Sequence, residues 1–243
     1  MKKKLIILTG PTAVGKTDLS IRLARTVGGE IISADSMQVY RRMDIGTAKI
    51  RPEEMDGVRH HLIDILEPTE SFNAFLFKEY ALKAANEIWE RGSIPIIVGG
   101  TGFYIQTLLY DIEFAKSDEN DGIRDELNKL YEEHGAAFLH DMLAKADPEY
   151  AAEVHENNVK KVIRAIEFYR QTGHKLSEHN TEQRERTSPY NFEYFVLSDD
   201  RAVLYERIDK RIDKMVEAGL IAEVQALLDE GVDRAVSYTH LRA

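Results

Sequence analysis

Apolar residues fall along this chain in two rhythms. Short unbroken runs at 4–9, 30–33, 94–98 and 191–197 have the length and composition of buried strands. Between them lie longer segments whose apolar residues recur every three or four positions, the period of an amphipathic helix. In 17–27 these are Leu19, Leu23 and Ala24, and Gly28-Gly29 ends the pattern. The stretch 72–91 reads as a long helix closed by Gly92, and 201–230 as one or two helices. Strands alternating with helices predict an α/β fold, a parallel sheet flanked by helices on both faces. Such sheets bind ligands at the carboxyl ends of their strands. That rule directs attention to 10–17, 35–38 and 99–102.

From about Glu113 the texture changes, and 118–186 is charge-rich and helical with few β-branched runs. The chain therefore reads as an α/β core from 1–113 and 191–243 carrying a helical insertion at 114–190. No internal repeat or low-complexity stretch interrupts it. At 243 residues, 43% apolar and 30% charged, this is the composition of a soluble enzyme. No window approaches the roughly 18–20 apolar residues that cross a bilayer. The run after Lys2-Lys3-Lys4 is too short for a signal-peptide core. The absence of cysteine excludes disulfides and cysteine-held zinc and predicts a cytoplasmic protein.

A net charge of −10 argues against indiscriminate coating of nucleic acid. Local charge differs. Lys160, Lys161, Arg164, Arg170, Lys175, Arg184 and Arg186 face only Glu167, Glu178, Glu182 and Glu185 within 160–186. That stretch is either a solvated helical face or a contact for a polyanion.

The strongest motif is Gly10-Pro11-Thr12-Ala13-Val14-Gly15-Lys16-Thr17, which matches G-x-x-x-x-G-K-[ST] between a strand and a helix. Its glycines let backbone N–H groups converge on phosphate oxygens, and the following helix adds its positive end. Lys16 supplies a mobile cation, and the Thr17 hydroxyl can ligand Mg²⁺. The motif alone does not separate a nucleotide such as ATP from another diphosphate. A nucleotide hydrolase would also carry an apolar strand ending in a magnesium-holding Asp. Here 94–98 runs into Gly99-Gly100-Thr101, and Leu62-Ile63-Asp64 is too short to substitute. A P-loop used for group transfer fits better. Asp35, at the end of the second strand, stands where a carboxylate can take a proton from a nucleophile, hold magnesium through water or cap a turn.

Five segments in register carry a family resemblance: 10–17 (GPTAVGKT), 34–40 (ADSMQVY), 43–49 (MDIGTAK), 60–64 (HHLID) and 98–102 (VGGTG). Together they resemble the bacterial tRNA dimethylallyltransferases, also called tRNA isopentenyltransferases, over nearly the whole chain. The resemblance implies a P-loop NTPase-like core with a helical tRNA-binding insertion. It implies transfer of a dimethylallyl group from dimethylallyl diphosphate to N6 of adenosine 37, beside the anticodon, in tRNAs reading codons that begin with U. Gly10, Thr12, Ala13, Val14, Gly15, Lys16 and Thr17 would then hold the diphosphate, with Mg²⁺ on Thr17. Asp35 would be the general base and Thr101 would bond the substrate in the reaction channel. Ser36, Met37 and Gln38 would line the flipped nucleotide. Arg124, Lys160, Lys161 and Arg164 would contact the anticodon stem-loop, and Arg207 and Arg211 are the candidates for steadying the leaving diphosphate. A monomer is expected.

The residue types suit that chemistry. Adenine N6 is a poor nucleophile, whereas charge at an allylic carbon spreads over the double bond. What remains is to neutralise the departing diphosphate, align the two atoms and remove a proton. Residues 235–243 depart from the family, whose members continue through a glycine-tyrosine segment and a basic helix; a truncation or an artefact of the sequence is expected there. Two rivals stay in view. Prenylation of free adenine nucleotides would not need the insertion, and a P-loop small-molecule kinase would consume ATP.

Overall fold

The computed structural model describes residues 2–112 and 122–232; the tail 235–243 lies outside them. Five strands form one parallel sheet: β1 Lys4–Thr9, β2 Gly29–Ser33, β3 His60–His61, β4 Ile94–Gly99 and β5 Asn191–Val196, in the order β3-β2-β4-β1-β5. The unbroken apolar runs follow from burial of both faces. Leu5, Ile7, Ile32 and Ile97 point to one side and pack on α2 (Ala74–Glu90) and α3 (Gly102–Leu109) through Phe77, Ala81, Ile105 and Leu108. Ile6, Ile31, Ile96 and Val98 point to the other and meet Ile21 and Ala24 of α1 (Lys16–Val27). Alternate residues thus serve alternate layers, as the two-residue period of a strand requires.

Two elements are additions to the sequence reading. The edge strand β3 has only two residues and no apolar run, so nothing in its composition announces it. Helix α3 follows directly on the glycine turn at 99–102, which masked its start. Of the one or two helices expected at 201–230 there are two, α8 Arg201–Glu217 and α9 Leu220–Asp229, parted by Gly219 at φ 103°. Helix α2 starts at Ala74, where the Asn73 side chain accepts the Leu76 amide at 3.0 Å.

The chain divides into two compact units, Met1–Asp111 with Ser188–Ala243, and Ile112–Thr187. The second contains α4 Ile123–Ala146, α5 Pro148–Glu153, α6 Val159–Thr172 and α7 Leu176–Glu185, with a kink at Gly135 inside α4. Its core is Leu127, Leu139, Leu143, Val162, Ile163, Ile166 and Leu176. One carboxylate joins its pieces. Asp147 is fully buried, accepts the Tyr150 amide at 3.1 Å to cap α5, and takes the Ser177 amide and hydroxyl at 2.8 and 2.7 Å. Burial pushes its carboxyl pKa up, but the Ser177 and Tyr150 hydrogen bonds outweigh this and hold it below the usual carboxylate value.

Candidate active site

The tips of β1, β2 and β4 are stitched together by short-range bonds. Thr9 Oγ1 donates to the Gly99 carbonyl at 2.9 Å, and the Ala34 amide donates to the Val98 carbonyl at 2.8 Å. The Thr101 amide reaches the Ala34 carbonyl at 3.4 Å. Only glycine fits at 99, where a Cβ would lie 2.2 Å from the Ala34 carbonyl oxygen. Gly10 is fixed in the same way: its φ is +150° and a Cβ would meet the Leu197 carbonyl at 2.5 Å. The phosphate-loop residues, Asp35 and Thr101 therefore share one sheet edge.

The loop from Gly10 to Thr17 bends through positive φ at Gly10, Ala13 and Gly15. A non-glycine residue at φ 64°, as Ala13 is, is held against its own preference. Such turns aim successive amides inward. No side chain caps the first turn of α1, so its amides face the same concavity with the positive end of the helix behind them. Thr12 and Thr17 are exposed at the rim, and Val14 packs close to Gly10. Lys16 Nζ donates to the Gly10 and Pro11 carbonyls at 2.8 and 2.7 Å. Burial pushes its ammonium pKa down, the Asp35 charge opposes this, and Arg211 adds to the depression. Arg211 itself is lowered by burial and supported by Asp35. Two cations and one carboxylate thus converge at the strand tips.

Asp35 serves a structural purpose there as well. Its Oδ1 accepts the Met37 amide at 2.8 Å and the Gln38 amide at 3.3 Å, closing the turn after β2. Among the described residues Oδ2 has no such partner. The following side chains are less available than the sequence suggests. Met37 is buried among Val39, Tyr40, Met43 and Leu227. Gln38 spends its amide on the Ser33 hydroxyl at 3.2 Å and the Thr47 carbonyl at 3.2 Å. Ser36 is half-exposed. Arg207 and Arg211 separate clearly: Arg207 is exposed, pairs with Asp199 at 2.9 Å and only brushes the Ala13 carbonyl at 3.5 Å.

The loop that continues from this turn is held from two sides. Lys49, with a side chain only 4% exposed, donates to the Tyr40 carbonyl at 2.7 Å, Asp44 at 2.6 Å and Asp64 at 2.5 Å. Asp64 is thus committed to a lysine. From α9, Glu223 accepts the amides of Asp44, Ile45 and Gly46 at 2.9, 2.8 and 3.1 Å. Lys49 lay inside a motif quoted from the sequence but had no visible task; Glu223 gave no signal, because what it holds in this loop is backbone.

Tyr104 was also missed. It lies one turn after Thr101 in α3, 8% exposed. Its ring stacks on Phe77 at 4.8 Å and meets Phe72 edge-on at 5.7 Å. Burial, with Tyr40 and the Asp35 charge, pushes its phenol up to about 12.

In the helical unit, Lys160, Lys161 and Arg164 are exposed along α6, opposite its buried stripe Val162, Ile163 and Ile166. Arg124 pairs with Glu167 of α6. Among the described residues no helix is long and apolar enough to cross a membrane, and no three His, Cys, Asp or Glu cluster as a metal cage.

The family model for IPP transferases matches residues 38–243. A tRNA dimethylallyltransferase of Lachnoclostridium phytofermentans is 57% identical over 232 residues, covering 96% of this chain and 74% of that protein. Its Bacillus subtilis counterpart is 48% identical, covering 100% of this chain and 78% of its own length. Among solved structures, the full-length tRNA isopentenylpyrophosphate transferase of Bacillus halodurans is 48% identical with a TM-score of 0.65, over 95% of this chain and 72% of that one. A eukaryotic dimethylallyltransferase solved acting on tRNA is 36% identical with a TM-score of 0.85, over 94% of this chain and 56% of that one.

Proposed function

The chain belongs to the IPP transferase family, and we propose that it transfers the dimethylallyl group of dimethylallyl diphosphate to N6 of adenosine 37 in the anticodon loop of tRNA, releasing diphosphate. The observation that carries this reading is the convergence of Lys16, Arg211 and Asp35 at the sheet edge, beside a phosphate loop whose neighbouring strand β4 ends in Gly99 rather than in an Asp.

The loop amides and the uncapped first turn of α1 bind the diphosphate. Lys16 exchanges its two carbonyl partners for phosphate oxygens, and Arg211 adds a second cation as charge grows on the leaving group. Both are desolvated, which strengthens their pull on an anion. The exposed Thr17 hydroxyl at the start of α1, with no carboxylate cage among the described residues, suits Mg²⁺, which prefers substrate phosphates and one or two protein oxygens. When bound, Mg²⁺ would neutralise charge on the diphosphate. Asp35 keeps its turn closed through Oδ1 and takes the N6 proton on Oδ2 as the new carbon–nitrogen bond forms. Thr101 orients the substrate from the start of α3. The target base must leave its stack to reach this edge, at a cost of about a few kcal/mol. The exposed cations of α6 and Arg124 supply phosphate contacts to the RNA.

The test is incubation with labelled dimethylallyl diphosphate and either tRNA or AMP. Label in tRNA alone is expected. Label in AMP alone, or brisk ATP turnover without tRNA, overturns the reading.

A further inference from the structure

Tyr104 is more than nine-tenths buried, yet its hydroxyl makes no hydrogen bond to any described residue. Nor is that oxygen sealed in: among the described residues the only buried side-chain polar atom without a partner is Nε2 of His60. A Tyr whose ring is buried and whose hydroxyl reaches the surface unpaired presents a donor to whatever occupies the space beyond it.

Three observations say what that space is. Residues three apart on a helix share a face, so Tyr104 lies beneath Thr101, whose amide is bonded to the residue preceding Asp35. The ring cannot swing away, because Phe77 and Phe72 hold it on two sides and Ala34 belongs to the same cluster. The Asp35 charge also helps to raise the phenol's pKa, as the place of Tyr104 beside the Ala34–Thr101 bond leads one to expect.

We infer that the Tyr104 hydroxyl is a substrate-binding donor that hydrogen-bonds a ring nitrogen next to the amine of the target adenine. This rests on the adenine-prenylation reading above. The chemistry matches: N6 of adenine is flanked by N1 and N7, both acceptors, and Asp35 can only accept. A group that stays protonated must supply the donor, and a phenol held near 12 does so across the working pH range. A bond to N1 would also reject guanine, which carries a hydrogen there.

The experiment is a cycle between protein and substrate. Parent and Tyr104→Phe proteins are compared on anticodon stem-loop RNA carrying adenosine, 1-deazaadenosine or 7-deazaadenosine at the target, by kcat/KM and by RNA affinity. Tyr104→Phe keeps the ring on Phe77, so its melting temperature should match the parent. On native RNA it should lose about 3- to 10-fold in kcat/KM, the effect of one neutral hydrogen bond. The parent should lose a similar factor on one of the two deaza substrates, and Tyr104→Phe should lose nothing further on that one. Full activity of Tyr104→Phe overturns the inference, as do losses that simply multiply on both deaza substrates. A parent protein that neither binds nor modifies native RNA would instead remove the reading beneath it.

Discussion

Replacing Asp35 separates its two oxygens. Oδ1 holds the turn through the Met37 and Gln38 amides, at 2.8 and 3.3 Å, while Oδ2 is the proposed base. Asp35→Asn retains a carbonyl oxygen for both amides and loses basicity. Its stability should fall by only a few tenths of a kcal/mol, because Asn and Asp cap about equally well. Asp35→Ala loses the cap and should cost about 1 kcal/mol, a drop in Tm of about 2–4 °C for a unit of this size. Turnover should not follow that order. Both variants should slow single-turnover transfer by about 10²- to 10⁴-fold, the usual effect of one general base. Affinity for dimethylallyl diphosphate should hold or improve, because the carboxylate that repels the diphosphate has gone while Lys16 and Arg211 remain. Rapid-quench transfer assays, diphosphate titrations and thermal melts on the two variants give all three readouts. An Asp35→Asn enzyme transferring within about threefold of the parent rate would refute the base assignment and leave only the cap.

Further outcomes follow from the geometry. Arg211→Ala should lower kcat/KM by about 10- to 100-fold, the effect of losing one charge-assisted contact. Arg207→Ala, whose arginine is exposed and already paired with Asp199, should change it by less than about threefold; equal effects would contradict the distinction. Reversing the charges of Lys160, Lys161 and Arg164 should weaken tRNA binding and flatten its salt dependence without touching prenyl-diphosphate affinity; an unchanged salt slope would leave α6 a solvated face. Asp147→Asn should destabilise the helical unit by about 1–3 kcal/mol at neutral pH. Because the Asp147 pKa is depressed in the fold, its stabilisation is complete above the ordinary carboxylate value and is lost as pH falls through the depressed one. Denaturant melts of parent and variant should therefore converge in acid, and a gap that persists there would deny the carboxylate its part.

What the sequence disclosed depended on how far apart the cooperating groups lie. The phosphate loop is a contiguous motif, and β1, β2 and β4 are buried on both faces, so each announces itself locally. Asp35 was legible because the topology rule places strand ends at ligands. β3 was not, being two half-exposed histidines paired on one edge. Met37 looked like a pocket residue because its neighbours belong to the site; its burial depends on Leu227, far along the chain. Tyr104 carried no signal at all, since only the folded packing reveals a hydroxyl without a partner among the described residues.

The grip of Glu223 on the loop beside the site has a bearing on which substitutions this region tolerates. Within that loop it holds three consecutive amides, the backbone of Asp44, Ile45 and Gly46. At Ile45 it is therefore indifferent to the residue type and refuses only proline, which lacks the donor. At position 223 the demand runs the other way. Aspartate is one methylene too short to span the same amides, and glutamine brings an NH₂ group against N–H donors. In a library of variants selected for activity, position 45 should accept many residues and position 223 very few, although it is 223 that lies outside every recognisable motif.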